Sequence, residues 1–518
     1  MTLDRRAFLF SAAAAASHAA TGGQAGPVRH LLPTVSDRRL LLKASFHAPY
    51  SRVVLRIGKR RVAGRQSDSG GRHWHFDSSG LEPATQYHLQ LEDPRSRLIG
   101  EPWPITTFPD PGERPARLRL AIYTCAGGPE GYIDDKGRNW FLPLAARRRL
   151  LQRVLKEQPD ALVAIGDHVY WDLRSKIAQF ARSEKALREV GVFDRRLPVI
   201  GSSNEEVFTR CVGAQVADLY GTLFRSTPVF FVQDDHDYFD NDEAGDDLVT
   251  FPPDEFMMRV ARAARRLFYP EFLPDDSRPD GLPGVTEGAR LGESFGTLRY
   301  GKLFEAVMYD CRRNLSLSGP SAGFVDPGTE QWLIERTASA EATHLMHVPS
   351  TPFGWSAGKW GEWYPDILDA AGKLTTRKQK PYWQSGWRAQ HDRILKALAA
   401  NQRRIPLIVS GDLHSLAVGR ILRSGSLDLR GNPVHTVVSG PIGTGQRGWP
   451  SNARGTRALP PDGLEIEEKL PALEKNGFTI ADITHEAIRL RFYQWPATDE
   501  LSAIDGIKPF REETLTRW

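Results

Sequence analysis

Ala161-Leu162-Val163-Ala164-Ile165-Gly166-Asp167-His168-Val169-Tyr170 is the stretch on which the reading of this chain turns. An unbroken apolar run bounded by Pro159-Asp160 and Gly166 fits a short strand covered on both faces. Asp167 and Tyr170 follow, three apart, so one loop can aim both at one point. The arrangement recurs. Residues 118–123 lead into Thr124-Cys125, 228–232 into Asp234-Asp235-His236-Asp237, 343–346 into His347, and 406–409 into Gly411-Asp412-Leu413-His414. In an open α/β sheet, residues just past the carboxyl ends of strands converge on one crevice. Strands of a single sheet would therefore bring Cys125, Asp167, Tyr170, Asp235, His347, Asp412 and His414 together. Thiolate, phenolate, carboxylate and imidazole donors make that set a candidate metal site.

Taken singly these motifs mean little. A lone Gly-Asp is more often a turn, a lone buried Cys is usually packing, and a lone His is usually a hydrogen-bonded structural residue. Their recurrence at successive run ends carries the argument. Residues 145–155 place Leu150, Leu151, Val154 and Leu155 at helical spacing between the first two runs. The resulting β–α–β order implies a parallel pair with a right-handed crossover. A further strand is expected at 303–308 and helices at 328–336 and 388–400. Late strands at 435–438, 478–483 and 487–492 read as a second, antiparallel sheet, and 497–518 as a tail.

Upstream, residues 27–110 carry short strand candidates at 40–46, 52–57, 73–76, 85–91 and 103–108, which predict a small β-sandwich. Pro109, Pro111 and Pro115 mark a linker, so a second, larger domain is expected to span 116–496. Arg5-Arg6-Ala7-Phe8-Leu9 and the Ala-rich stretch behind it resemble a twin-arginine export signal over residues 1–26. That implies the twin-arginine machinery as a partner and a periplasmic or extracellular destination. No later run is long enough for a membrane-spanning helix. With 40% hydrophobic and 25% charged residues among 518, disordered and fibrous classes are excluded. A net charge of +5 is a mild bias, and Arg147-Arg148-Arg149 reads as a solvated helix face, so no nucleic-acid or protein partner is expected. The cysteines are Cys125, Cys211 and Cys311. An odd count leaves at least one thiol unpaired, and Cys211 could pair with Cys311.

The ordered motifs resemble the calcineurin-like metallophosphoesterases, and within them the alkaline phosphatase D (PhoD-like) family. The resemblance rests on Cys125, on Gly166-Asp167-His168-Val169-Tyr170, on Asp234-Asp235-His236-Asp237, on Asp310-Cys311-Arg312, on Gln331-Trp332-Leu333 and on Gly411-Asp412-Leu413-His414. It implies layered β-sheets flanked by helices (α/β, α+β), preceded by a small all-β domain similar to fibronectin III or immunoglobulin sandwiches. It also implies hydrolysis of phosphate monoesters or diesters at two metal ions about 4 Å apart, which acidify a bridging water and clamp the phosphoryl oxygens. Asp167 would bridge the ions. Cys125, Tyr170 and His414 would complete a site suited to Fe³⁺, and Asp235, Asp412 and His347 a site for Ca²⁺, Mn²⁺ or Zn²⁺. His236 would sit beside the substrate, contacting a phosphoryl oxygen or protonating the leaving group, and Arg312 would grip phosphate.

Two departures stand out: Asp237 replaces the family's Glu, and His347 stands where the family often has an amide. Packing and loop orientation account for His168 and Asp234. Trp355, Trp360, Trp363, Trp383 and Trp387 form a lid or pack locally, and the acidic segment 237–247 is a solvated loop or a cation site. The rival reading is a non-catalytic cell-envelope binding protein with a relic metal site.

Overall fold

The computed structural model describes residues 26–130, 132–134, 136–171, 191–238, 252–275, 282–286, 290–316, 322–339, 341–357, 385–461, 463–497 and 500–517. The export-signal segment, Trp360, Trp363, Trp383 and the acidic stretch from residue 239 onward lie outside them.

The chain opens with two four-stranded antiparallel sheets. One orders β1 (Val28–Val35), β2 (Leu40–Phe46), β6 (His73–Ser78) and β5 (Arg65–Gln66). The other orders β4 (Arg60–Ala63), β3 (Val54–Ile57), β7 (Gln86–Glu92) and β8 (Leu98–Thr106). Leu42, Phe76, Leu55, Leu89 and Trp103 share one buried cluster, as the alternation of a two-sheet sandwich requires. Polar contacts anchor this sandwich to the larger C-terminal part of the chain. Lys43 reaches Glu271 at 2.8 Å, Arg29 pairs with Asp218, and His30 Nε2 bonds the Phe268 carbonyl at 2.9 Å.

That C-terminal part holds two larger sheets, and the strands expected to share one sheet are divided between them. The first orders β11 (Val229–Val232), β10 (Ala161–Ile165), β9 (Arg117–Thr124), β22 (Asn476–Thr484), β23 (Ala487–Trp495) and β24 (Pro509–Thr516). The second orders β14 (Phe295–Tyr300), β15 (Phe304–Tyr309), β16 (His344–Pro349), β17 (Leu407–Ser410), β20 (Val434–Ser439), β18 (Leu416–Ser424) and β19 (Leu427–Asp428), with β21 (Leu464–Leu473) paired to β18. A minimal hairpin, β12 (Val285–Thr286) with β13 (Leu291–Gly292), lies apart. The late strands therefore do not form a sheet of their own. β22 pairs with β9 and β23 with β22, while β20 runs parallel to β17. The expected C-terminal tail contributes an edge strand, β24, beside β23.

Strand periodicity sets the layers. In β9, Leu120 and Ile122 point into the cluster shared with Met308, Met346, Val348, Leu407 and Val437 of the second sheet. Ala121 and Tyr123 point the other way, toward α1 (Leu144–Leu155), α2 (Asn204–Val212) and α3 (Glu255–Leu267). On the far side of the second sheet, Val307, Leu345 and Ile408 pack under α4 (Pro327–Ala338) and α5 (Ser385–Ala400). The result is helix, sheet, sheet, helix. Residues 440–442 stitch the sheets together. Thr124 N–H donates to the Gly440 carbonyl, Ile442 N–H to the Thr124 carbonyl, and Gly477 N–H to the Pro441 carbonyl.

All three cysteines are free and buried, so Cys211 and Cys311 form no disulfide. Trp355 and Trp387 are fully buried and donate to Glu468 and the Ser316 carbonyl, so neither belongs to an exposed lid.

Burial lowers the His30 pKa to about 3, because the imidazolium is desolvated between the sandwich and the segment after α3. A depressed folded pKa means that the unfolded chain binds the extra proton first. The stability from neutral His30 is complete above about pH 6.5 and is lost as pH falls toward the folded value. The stability advantage of the wild type over His30→Gln should therefore shrink by about 1.4 kcal/mol per pH unit between pH 6 and pH 4. Denaturant titrations across that window check this, and a constant difference contradicts it.

Candidate metal centre

Register fixes which residues meet. Ile165 of β10 lies opposite Thr124 of β9 and Val232 of β11, so all three carboxyl ends stop at one level. Cys125, Gly166-Asp167 and Asp234-Asp235 therefore leave the first sheet side by side. From the second sheet β17 ends at Ser410, and Gly411-Asp412 turns back onto the first. The Asp412 N–H donates to Thr124 Oγ1 at 3.2 Å. Gly411 permits this approach, since a Cβ there would lie 2.5 Å from Thr124 Oγ1 and 2.6 Å from the Ile165 carbonyl oxygen.

The loops are held in costly conformations. Cys125, Asp167, Asp412 and His414 have φ of 50°, 55°, 67° and 45°, half of the eight non-glycine residues with positive φ among those described. Each such residue costs on the order of 1–3 kcal/mol, and strain of this kind collects where function requires a fixed geometry.

Asp167 is the centre. Its Oδ2 lies 3.2 Å from Cys125 Sγ, 2.9 Å from Tyr170 Oη and 3.5 Å from His414 Nε2. Tyr170 Oη is also 3.1 Å from His414 Nε2. His414 Nδ1 donates to the Gly448 carbonyl at 2.8 Å, which leaves Nε2 as the nitrogen facing Asp167. Asp167 Oδ1 is buried and has no hydrogen-bond partner among the described residues. The donor atoms form three overlapping groups, each within 4.8 Å: Cys125, Asp167 and His414; Asp167, Asp235 and His236; Asp234, Asp235 and Asp412. Asp167 and Asp235 each belong to two. The His236 ring lies 4.1 Å from the Tyr170 ring, and its Nε2 is 4.0 Å from Asp235 Oδ2.

The electrostatics of this cluster call for cations. Burial, then the Asp167 charge, pushes the Cys125 thiol and the Tyr170 phenol well above their ordinary values. Burial does the same to Asp234 and Asp237. Without cations, protons on Cys125 and Tyr170 crowd one carboxylate oxygen, while Asp167 Oδ1 is left without a partner among the described residues. Soft and anionic donors on one side of Asp167 and carboxylates on the other fit a pair of metal ions.

Two expected roles change. His347 is not at the site. β16 continues three residues past the expected run, so His347 lies within the strand, opposite Val307 and Ile408. It shares the parity of Leu345 and points to the helix layer. There Nε2 lies 2.8 Å from Thr337 Oγ1 on α4 and Nδ1 lies 3.3 Å from Tyr309 Oη. Arg312 turns into the carboxylate cluster. It is fully buried, with Nε 2.8 Å from Asp234 Oδ1 and Nη2 3.2 Å from Asp412 Oδ2. It neutralises and spaces two carboxylates of the cluster.

Sequence reading missed the residues that hold the loops. Asp237 accepts from the N–H groups of His168, Val169 and Asp234 at 2.9, 3.0 and 3.0 Å, tying two ligand loops together. Gln215 Oε1 accepts from the N–H groups of Gly128 at 2.6 Å and Tyr170 at 2.9 Å. Gln215 sits on a π-helical turn, Gly213–Ala217, a feature that collects at functional sites. His168 packs, as expected, with Nε2 donating to the Val232 carbonyl at 2.8 Å.

Comparison with solved structures supports the fold. "Structure of PhoD" superposes with a TM-score of 0.58 at 14% identity, over 96% of this chain and 90% of that one. The purple acid phosphatase PPD1 from yellow lupin (Lupinus luteus) seeds gives 0.55 at 12% identity, over 94% and 74%. No curated protein matches the sequence. Residues 137–492 match the PhoD-like phosphatase family, more than half of the chain. The chain belongs to that family and is a metal-dependent phosphoesterase.

Proposed function

We propose that this phosphoesterase is an exported enzyme that hydrolyses phosphate monoesters, diesters or both at two metal ions sharing Asp167. The observation that carries the reading is the position of Asp167 in two donor groups at once. One has a thiol and an imidazole, the other a carboxylate and an imidazole. Cys125, Tyr170 and His414 would hold one ion with Asp167, and a ferric ion suits the thiolate and phenolate. Asp235 and Asp412 would hold the second with Asp167. Asp234 stands beside them and Arg312 offsets part of the charge. Ca²⁺, Mn²⁺ or Zn²⁺ each suit that oxygen-rich set. When bound, the ions supply Lewis acidity toward the phosphoryl oxygens and a water acidic enough to act near neutral pH.

The chain supplies the rest. Tyr170 packs against His236, its ring tilted by 36°, and sets the imidazole beside the carboxylates. His236 retains slight exposure, 7%, and is the group proposed to pass a proton to the leaving oxygen. Buried walls keep bulk water from the donors, which strengthens every charge interaction there. Export rests on the Arg5-Arg6 signal. Conservative Lys replacements of both should retain the protein in the cytoplasm of a twin-arginine-competent host, as read by cell fractionation.

Asp167→Asn should lower hydrolysis of p-nitrophenyl phosphate and bis-p-nitrophenyl phosphate at least about 100-fold, since metal-centred charge stabilisation is worth several kcal/mol. Metal analysis should find less than the wild-type content. Wild-type protein with neither bound metal nor hydrolysis of either ester would refute the reading, and relative rates on the two esters give the preference. His347→Gln should cost about 1–3 kcal/mol of stability by breaking a buried hydrogen-bonded contact, yet keep the wild-type metal content. Loss of one metal equivalent in that variant would return His347 to the ligand set.

A further inference from the structure

The metal centre occupies the carboxyl ends of the parallel strands. At their amino ends, across the sheet, a second cleft opens. Lys302 precedes β15, Thr343 precedes β16 and Arg404 precedes β17, so strand lengths of four to six residues put roughly 13–20 Å between the two edges. The cleft has a volume of about 740 Å³, and Arg114, Lys302, Arg403, Arg404 and Arg517 line it. A smaller cavity of about 150 Å³ adjoins it and shares Arg404 and Arg517.

The charges there do not cancel. Glu341 is the acid in the lining, and it already pairs with Arg299 at 3.1 Å and Arg336 at 3.3 Å. Arg114, Lys302, Arg403 and Arg517 have no carboxylate partner among the described residues. Arg404 is held in place, with Nε and Nη2 donating to the Ala342 carbonyl at 3.0 and 2.8 Å. Burial, partly offset by Glu305 and reinforced by Arg336 and Arg299, brings its pKa down to about 10. One imidazole nitrogen beside the cleft is also unused: His485, which bonds Thr343 of the lining at 2.9 Å, has no hydrogen-bond partner on Nε2 among the described residues.

A concave wall carrying one sign of charge focuses the field and concentrates counter-ions. Guanidinium forks match tetrahedral oxyanions bidentately. The volume falls within the range of small-molecule sites. We propose that this cleft is a binding site for a small, multiply charged phosphate anion of the oligophosphate class, separate from the metal centre.

The test uses the full chain with Asp167→Asn, stripped of metal to silence the catalytic site. Pyrophosphate is titrated in by calorimetry, with sulfate at equal ionic strength as the control. One binding event per chain is expected. Adding Lys302→Ser, Arg403→Ser and Arg517→Ser should weaken it at least 10-fold and flatten its salt dependence. The same three substitutions in otherwise wild-type enzyme should leave kcat on p-nitrophenyl phosphate unchanged, which shows that the chain still folds. Absence of a pyrophosphate signal, sulfate binding as tight as pyrophosphate, or an affinity within threefold in the combined variant overturns the proposal. None of these outcomes bears on hydrolysis at the metal centre.

Discussion

Negative charge buried away from bulk solvent is the constraint around which this protein is organised. Asp167, Asp234, Asp235, Asp237 and Asp412 are each no more than 1% exposed, and Cys125 and Tyr170 press against the first of them. Isolated buried carboxylates carry a penalty of several kcal/mol apiece. Within the cluster the structure offers Arg312 as a fixed cation and backbone N–H groups as donors. The remainder of the charge is balanced by protons, which burial favours, or by metal ions. The acidity of the site and its affinity for metal have the same origin.

Holding such a cluster together requires the fold to oppose both repulsion and backbone strain. Two sheets bring their strand ends to one edge, and residues 440–442 bind them across it. Left-handed φ angles at Cys125, Asp167, Asp412 and His414 persist because neighbouring groups fix the loops. Asp237 bonds three N–H groups from two loops, and Gln215 bonds two more. Long-range hydrogen bonds of this kind convert scattered sequence positions into one rigid donor set, in keeping with precise transition-state electrostatics.

Much of this is legible in the chain. Ala161–Ile165 reads as a strand because both faces are covered and every residue is apolar. The helix at Leu144–Leu155 announces itself through Leu150, Leu151 and Val154. Strand ends are harder to read. β16 runs on through His347-Val348-Pro349, and the slip of those residues from loop to strand sends His347 to the helix face. Arg312 misleads because position beside an acidic motif says nothing about direction. Its guanidinium points inward to Asp234 and Asp412. Gln215 carries no signal, since an amide on a helix looks the same whether it faces solvent or a ligand loop.

The sequence by itself determined the donor types, their order and their placement after apolar runs, because these are properties of local composition and spacing. Cys125, Asp167, Tyr170, Asp235, Asp412 and His414 stand out from that alone. Tertiary structure alone decided that two sheets share the work, that Arg312 is a buried counter-charge and that His347 belongs to the core. It also decided that β24 closes an edge and that cations gather at the opposite rim. Each of these depends on which face a side chain takes and which distant strand lies beside it. Period-two alternation turns a one-residue shift into a change of face, and pairing partners are not encoded within any short stretch.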